Sequence, residues 1–248
     1  MDEPNFHDFY IKLFIVLPVF FVFIELLIIK YNGHKIATPD IPRSKQHFGK
    51  GPALRYVVMG DSTSIGQGTT YAHSYAVGSA EHLGQRFRVQ MQNVGVSGAR
   101  VSDVLRDQLP QAIAFKADVV LLAVGANDAT HFTSGASLQR SFSAIFDQLL
   151  AANPNAHIVV TGSPDMGSIA RFPWPAKQLA GLRTRQVNHA LAPFVAQKHI
   201  TFAPIAARTG PAFNADPTLF AADKFHPNTR GYSLWTPVIN EALDAVVQ

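Results

Sequence analysis

From residue 53 onward, apolar residues fall into short unbroken runs, YVVM, VVLLAV and IVV among them. Each run is followed by a longer stretch in which apolar positions recur every three or four residues. A short continuous run bounded by turn residues suits a strand buried on both faces, and the three-to-four spacing suits an amphipathic helix. The pattern predicts strands over 54–59, 87–94, 119–124, 157–161 and 199–203. Helices are predicted over 71–83, 102–115, 138–152 and 177–198. A last helical stretch follows Asn228, where Pro237 should kink it or delay its start. Strand and helix in alternation predict a parallel sheet covered on both sides. Ligands of such sheets gather outside the carboxyl ends of the strands.

Ahead of this alternation stands a different pattern. Residues 9–29 read FYIKLFIVLPVFFVFIELLII. As a helix rising ~1.5 Å per residue this stretch covers about 31 Å, the thickness of a bilayer's hydrocarbon core. Lys12 can snorkel at one end, Tyr31 stands where an interfacial aromatic belongs, and Glu25 is the costly residue. The rival reading is a cleaved signal peptide, which needs a basic start and a small-residue cleavage site. The chain instead begins MDEPNFHD, and no A-x-A follows the apolar run. The expectation is a tail over 1–8, a single-pass membrane anchor over 9–30, a Gly/Pro-rich linker over 31–52 and one domain over 53–248. Asp2, Glu3 and Asp8 precede the span, whereas Lys30, Lys35, Arg43, Lys45 and Lys50 follow it. The positive-inside rule then puts the domain in the cytoplasm.

Composition narrows the function. Apolar residues make up 47% and charged residues 15% of the chain, so a packed core is expected. The absence of cysteine excludes disulfides and thiolate chemistry. The net charge of +4 is spread along the chain, with no basic run to suggest nucleic acid. The histidines show no H-E-x-x-H or similar spacing, so zinc is not expected. Nothing in the sequence sets an oligomeric state.

The candidate chemistry lies at the predicted strand ends. The first strand ends in Gly60-Asp61-Ser62, the second in NVGVSGAR (93–100), and the third in VGAND (124–128). ADKFHPN (222–228) precedes the last helix. A serine hydroxyl becomes a nucleophile when a base takes its proton and a third group holds that base. His226 can be the base for Ser62, and Asp223, three residues earlier, can hold its ring. Attack on an ester leaves an oxyanion in need of donors. The N–H groups of Ser62 and Gly98 and the side-chain amide of Asn127 can supply them if the loops converge, Gly98 being open to close approach for want of a side chain. Ser97 is a competing nucleophile, because GVSGA is one residue short of a G-x-S-x-G elbow. Asp61 and Asp128 read as structural, capping their turns. His131 can border the pocket. Phe172 and Trp174, in the loop after the fourth strand, either line an acyl or alcohol pocket or simply pack.

Taken together, these blocks resemble the SGNH (GDSL-type) hydrolase family of serine esterases and lipases. Its marks are GDS at the nucleophile, a glycine after the second strand, G-x-N-D after the third, and D-x-x-H near the end. All four occur in order, at Gly60-Asp61-Ser62, Gly98, 125–128 and 223–226, and the similarity covers roughly residues 53–247. The resemblance implies a flavodoxin-like three-layer α/β/α sandwich around a five-stranded parallel sheet. It also implies Ser62 as nucleophile, His226 as general base and acid, Asp223 as its partner, an oxyanion hole of Ser62, Gly98 and Asn127, and no metal or cofactor. The expected reaction is hydrolysis of a carboxylic ester or thioester, from a small molecule or a lipid. Acyl transfer to a sugar or lipid hydroxyl and a non-catalytic, membrane-tethered binding module are the alternatives.

Overall fold

The computed structural model describes residues 27–42, 44–195 and 197–247. Its strands are β1 (Gln46–Phe48), β2 (Ala53–Gly60), β3 (Arg88–Asn93), β4 (Val119–Ala123), β5 (His157–Val160) and β6 (Ile200–Phe202). They form one sheet in the order β1-β3-β2-β4-β5-β6. β2 to β6 are mutually parallel, and β1 runs antiparallel to β3, pairing Gln46 with Met91 and Phe48 with Val89. The sheet is therefore six-stranded and mixed rather than five-stranded and parallel. The additional strand comes from residues read as linker. QHF carries no apolar alternation, so what makes it a strand is backbone pairing with an edge that only the folded sheet provides.

The helices are α1 (Tyr75–Gly84), α2 (residues 101–115), α3 (Ala126–Thr130), α4 (Gly135–Ala152), α5 (Ala176–His189), α6 (Ile205–Ala215) and α7 (Thr229–Asp244). α1, α6 and α7 pack together on one side of the sheet, and α2, α4 and α5 on the other. With both faces covered, every residue of β4 is buried, which is why VVLLA shows no alternation. Within α2, Val104–Gln108 form a π turn between two α-helical pieces. α3 and α6 escape the apolar periodicity, the first because it is a single short turn and the second because Gly210 and Pro211 interrupt it. α7 starts directly after Asn228, whose side chain accepts from the Gly231 N–H, and runs on past Pro237. An aromatic cluster of Tyr75, Tyr232, Trp235, Phe213 and Phe220 joins α1, α6 and α7.

All but the last residues of the predicted anchor lie outside the described residues. Residues 27–31 are helical, and among the described residues no helix is long and apolar enough to cross a membrane.

Candidate active site

The pairs Val58–Asn93 and Gly60–Ala123 bring the carboxyl ends of β2, β3 and β4 level with one another. β2 must end in glycine here, because a Cβ on Gly60 would lie 2.1 Å from the Ala123 carbonyl oxygen. The peptide groups of Gly60 are held by the amide of Gln108, buried in the π turn of α2. Its Oε1 accepts from the Gly60 N–H and its Nε2 donates to the Gly60 carbonyl, both at 2.8 Å. Asp61 then closes the turn, its Oδ1 accepting from the N–H and hydroxyl of Thr63 at 2.9 and 2.8 Å. Ser62 sits at the apex.

The neighbouring loops are tied to this turn. Val96 N–H donates to the Gly60 carbonyl at 3.1 Å, and Asn93 Nδ2 donates to the Ser64 carbonyl at 2.7 Å. Gly98 has φ +81° with nothing within 4 Å of where a Cβ would be. Glycine suits this left-handed backbone, and the space beside it is open on the side where a Cβ would stand. Asn127, at the start of α3, donates its amide to the Ala99 carbonyl at 3.0 Å, which sets it beside the Gly98 loop. Asp128 fixes the same junction by accepting from the Val101 N–H at 3.0 Å.

The fourth cluster approaches from across the molecule. Phe220 and Pro227 bridge, and Ala221 N–H donates to the His226 carbonyl at 2.8 Å, so residues 220–227 form a closed loop with Lys224 at φ +55°. Inside it, Asp223 Oδ1 accepts from the N–H groups of Phe225 and His226, each at 3.0 Å. Asp223 Oδ2 lies 2.6 Å from His226 Nδ1, and His226 Nε2 lies 2.9 Å from Ser62 Oγ. The loop is seated by Gly68 (φ +96°), where a Cβ would come within 2.3 Å of the Pro227 carbonyl oxygen. Tyr232, whose hydroxyl donates to the Gln67 carbonyl at 2.8 Å, seats it as well.

Burial alone would raise the Asp223 carboxyl. Hydrogen bonds from the His226 ring and from the Phe225 and His226 N–H groups outweigh it and hold the group below its ordinary value. Asp61 goes the other way. Burial pushes it up from 3.8 to about 6, against the Thr63 hydrogen bonds and the attraction of His226. An acid raised in the folded state favours folding fully below its unfolded value near 3.8, and that contribution is lost as pH rises through about 6. Asp61→Asn keeps the oxygen that Thr63 needs and cannot ionise. Its melting temperature relative to wild type is therefore expected to climb between pH 4 and pH 8, as calorimetry at several pH values would reveal. A pH-independent difference would contradict the assignment.

Of the other candidates, Ser97 is exposed on its loop, and the imidazole faces Ser62 instead. His131 turns its Nδ1 to the Asn127 carbonyl at 2.8 Å, at the end of α3. Phe172 packs edge-on against Phe225, whose ring in turn packs on His226. Trp174 is 68% exposed. A cavity of about 20 Å³ lies beside His226, lined by Met166, Ile169, Phe213, Phe225 and Trp235. Among the described residues no group of three or more His, Asp or Glu could hold a metal ion. Gln108 and Gly68 were not legible as site residues. Gln108 sits inside a helical pattern, and Gly68 has the local surroundings of any turn glycine.

The chain matches the family model described as GDSL-like Lipase/Acylhydrolase over residues 58–234. It is 29% identical over 220 residues to the GDSL-like esterase Rv1075c of Mycobacterium tuberculosis, covering 81% of this chain and 68% of that one. Among solved structures it resembles TesA with a TM-score of 0.63 and 18% identity, over 78% of this chain and 99% of that one. It resembles phospholipase A1 of Streptomyces albidoflavus with a TM-score of 0.60 and 21% identity, over 77% and 99%.

Proposed function

Because the chain belongs to the GDSL-like lipase/acylhydrolase family, whose members hydrolyse ester bonds, we propose that it works through an acyl-enzyme on Ser62. His226 takes the Ser62 proton at Nε2 as the hydroxyl oxygen attacks the carbonyl carbon. Asp223 keeps the other ring proton on Nδ1 and offsets the charge of the imidazolium. His226 returns the proton to the leaving alcohol, or to the thiolate of a thioester. It then deprotonates a water that releases the acid. The observation that carries this reading is the unbroken relay from Ser62 Oγ to His226 at 2.9 Å and on to Asp223 at 2.6 Å. A fluorophosphonate probe should label the full chain and the Ser97→Ala variant, and should not label Ser62→Ala. Labelling lost in Ser97→Ala and kept in Ser62→Ala would reverse the assignment.

The negative charge on the carbonyl oxygen falls to the N–H groups of Ser62 and Gly98 and to the second amide hydrogen of Asn127, the first being engaged by Ala99. Asn127→Ala should lower kcat by ~10²–10³-fold with little change in KM, because the charge it answers develops in the transition state. An unchanged kcat in a chain-length series of p-nitrophenyl esters would remove Asn127 from this role.

Residues 9–30 are proposed as a membrane anchor for the domain, on the strength of their length and apolarity. The charge balance across them favours a cytoplasmic domain.

A further inference from the structure

The stretch that leaves the proposed anchor is bound to the loop that carries Asp223. Arg171 Nε donates to the Ile29 carbonyl at 2.6 Å, and Lys224 Nζ donates to Asn32 Oδ1 at 2.6 Å. His34 N–H reaches the Ala222 carbonyl at 3.3 Å, and Arg171 N–H donates to the Lys224 carbonyl at 2.9 Å. At Gly33 a Cβ would come within 2.4 Å of the Asp223 carbonyl oxygen. Residues 29–34, Arg171 and residues 222–224 are thus one knot, which holds residues 29–34 beside the loop that carries Asp223.

Exposed apolar residues occur on the segments that follow the carboxyl ends of β3, β4 and β5. Val96 lies on the loop between β3 and α2, Phe132 follows α3, and Trp174, Leu179 and Leu182 follow β5. Arg183 ties two of these regions together, with its guanidinium 5.3 Å from the centre of the Phe132 ring and its Nη2 donating to the Thr133 carbonyl. Among the described residues, the large exposed apolar side chains outside these segments and the 27–31 segment reduce to Leu234. Lys30, Arg100 and Lys224 stand exposed in the same regions, cations suited to anionic headgroups. The cavity beside His226 has room for roughly one water.

We propose that the rim carrying these side chains docks on the bilayer that the anchor enters, and that the crevice takes its ester from an amphiphile resident in that membrane. The proposal rests on the anchor and the Ser62 site of the preceding section. Exposed apolar side chains with cations on the neighbouring segments suit a surface that sits in the headgroup boundary. Tethering beside the crevice holds the rim there continuously.

The sequence has two tryptophans, and Trp235 is buried, so Trp174 reports on the rim. The full chain is reconstituted into phosphatidylcholine/phosphatidylglycerol vesicles, with or without brominated acyl chains, and floated on a density gradient. Brominated lipid is expected to quench a fraction of the tryptophan emission that is absent in Trp174→Phe, while aqueous iodide leaves that fraction untouched. The Leu179→Asp/Leu182→Asp variant should hydrolyse a vesicle-borne ester about tenfold more slowly or worse, for want of apolar contact. Its rate on soluble p-nitrophenyl acetate should be unchanged. A chain that does not float with the vesicles overturns the anchor and the docking together. A chain that floats with Trp174 open to iodide, or a double variant equally slow on both esters, overturns the docking alone. Loss of labelling at Ser62 by the serine probe, in contrast, would point to failure of the catalytic reading.

Discussion

Ser62→Ala should lower kcat by on the order of 10⁶-fold, and His226→Ala by a similar factor, while the double variant should be no worse than either alone. The reason lies in the relay. His226 Nε2 faces Ser62 Oγ at 2.9 Å, and the hydroxyl without the ring is a poor nucleophile. Each group is useless to the acylation step without the other, so their effects cannot add. The fold should be indifferent, since the Ser62 hydroxyl bonds to His226 and its turn is held by Asp61, Gln108 and Gln67 through other atoms. Steady-state kinetics of the three variants, with thermal melts as the control, check this. Additive losses, or a Ser62→Ala enzyme within tenfold of wild type, would mean that the nucleophile is another group.

Asp223→Asn should cost ~10⁴-fold in kcat with substrate binding largely retained. The size follows from how Asp223 is held. Its Oδ1 accepts from two backbone N–H groups, those of Phe225 and His226, so an asparagine has to put its carbonyl oxygen there. The amide nitrogen must then face His226 Nδ1, where Oδ2 now sits at 2.6 Å. Two hydrogens cannot share that contact, so the ring gives up its Nδ1 proton and carries it on Nε2, pointing at Ser62. A ring in that tautomer cannot take the serine proton. Asp223→Ala should do less harm to the tautomer but more to the loop, because both backbone donors would lose their acceptor in a mostly buried position. Comparing kcat and melting temperature across the pair separates orientation from architecture. An Asp223→Asn enzyme with kcat within tenfold of wild type would show that the carboxylate is dispensable.

The catalytic blocks were legible because chemistry fixes their residue types. The roles proposed for Ser62, His226 and Asp223, nucleophile, base and orienting acid, call for those residue types, and strand-end placement follows from alternating strand and helix. The supports of those residues were not legible. Gln108 is one more polar position on a helix, and only the fold turns its amide onto Gly60. Gly68 passes for a turn glycine until Pro227, 159 positions later in the chain, is brought against it. The reason for Gly98 is hidden in the same way, since its φ of +81° is a backbone property that glycine permits but does not announce.

The division follows the range of the interactions. Periodicity, the runs of buried strand residues and the order of the catalytic blocks depend on neighbours a few residues apart, so the sequence alone determined the α/β alternation and the residues with chemistry to offer. Strand β1, the knot between Asn32 and Lys224, and the meeting of Ser62 with His226 depend on groups far apart in the chain. Backbone pairing at a sheet edge needs no particular side chain, and a hydrogen bond to a carbonyl accepts any donor that arrives. Such contacts leave no pattern to read, and only the assembled tertiary structure decided them.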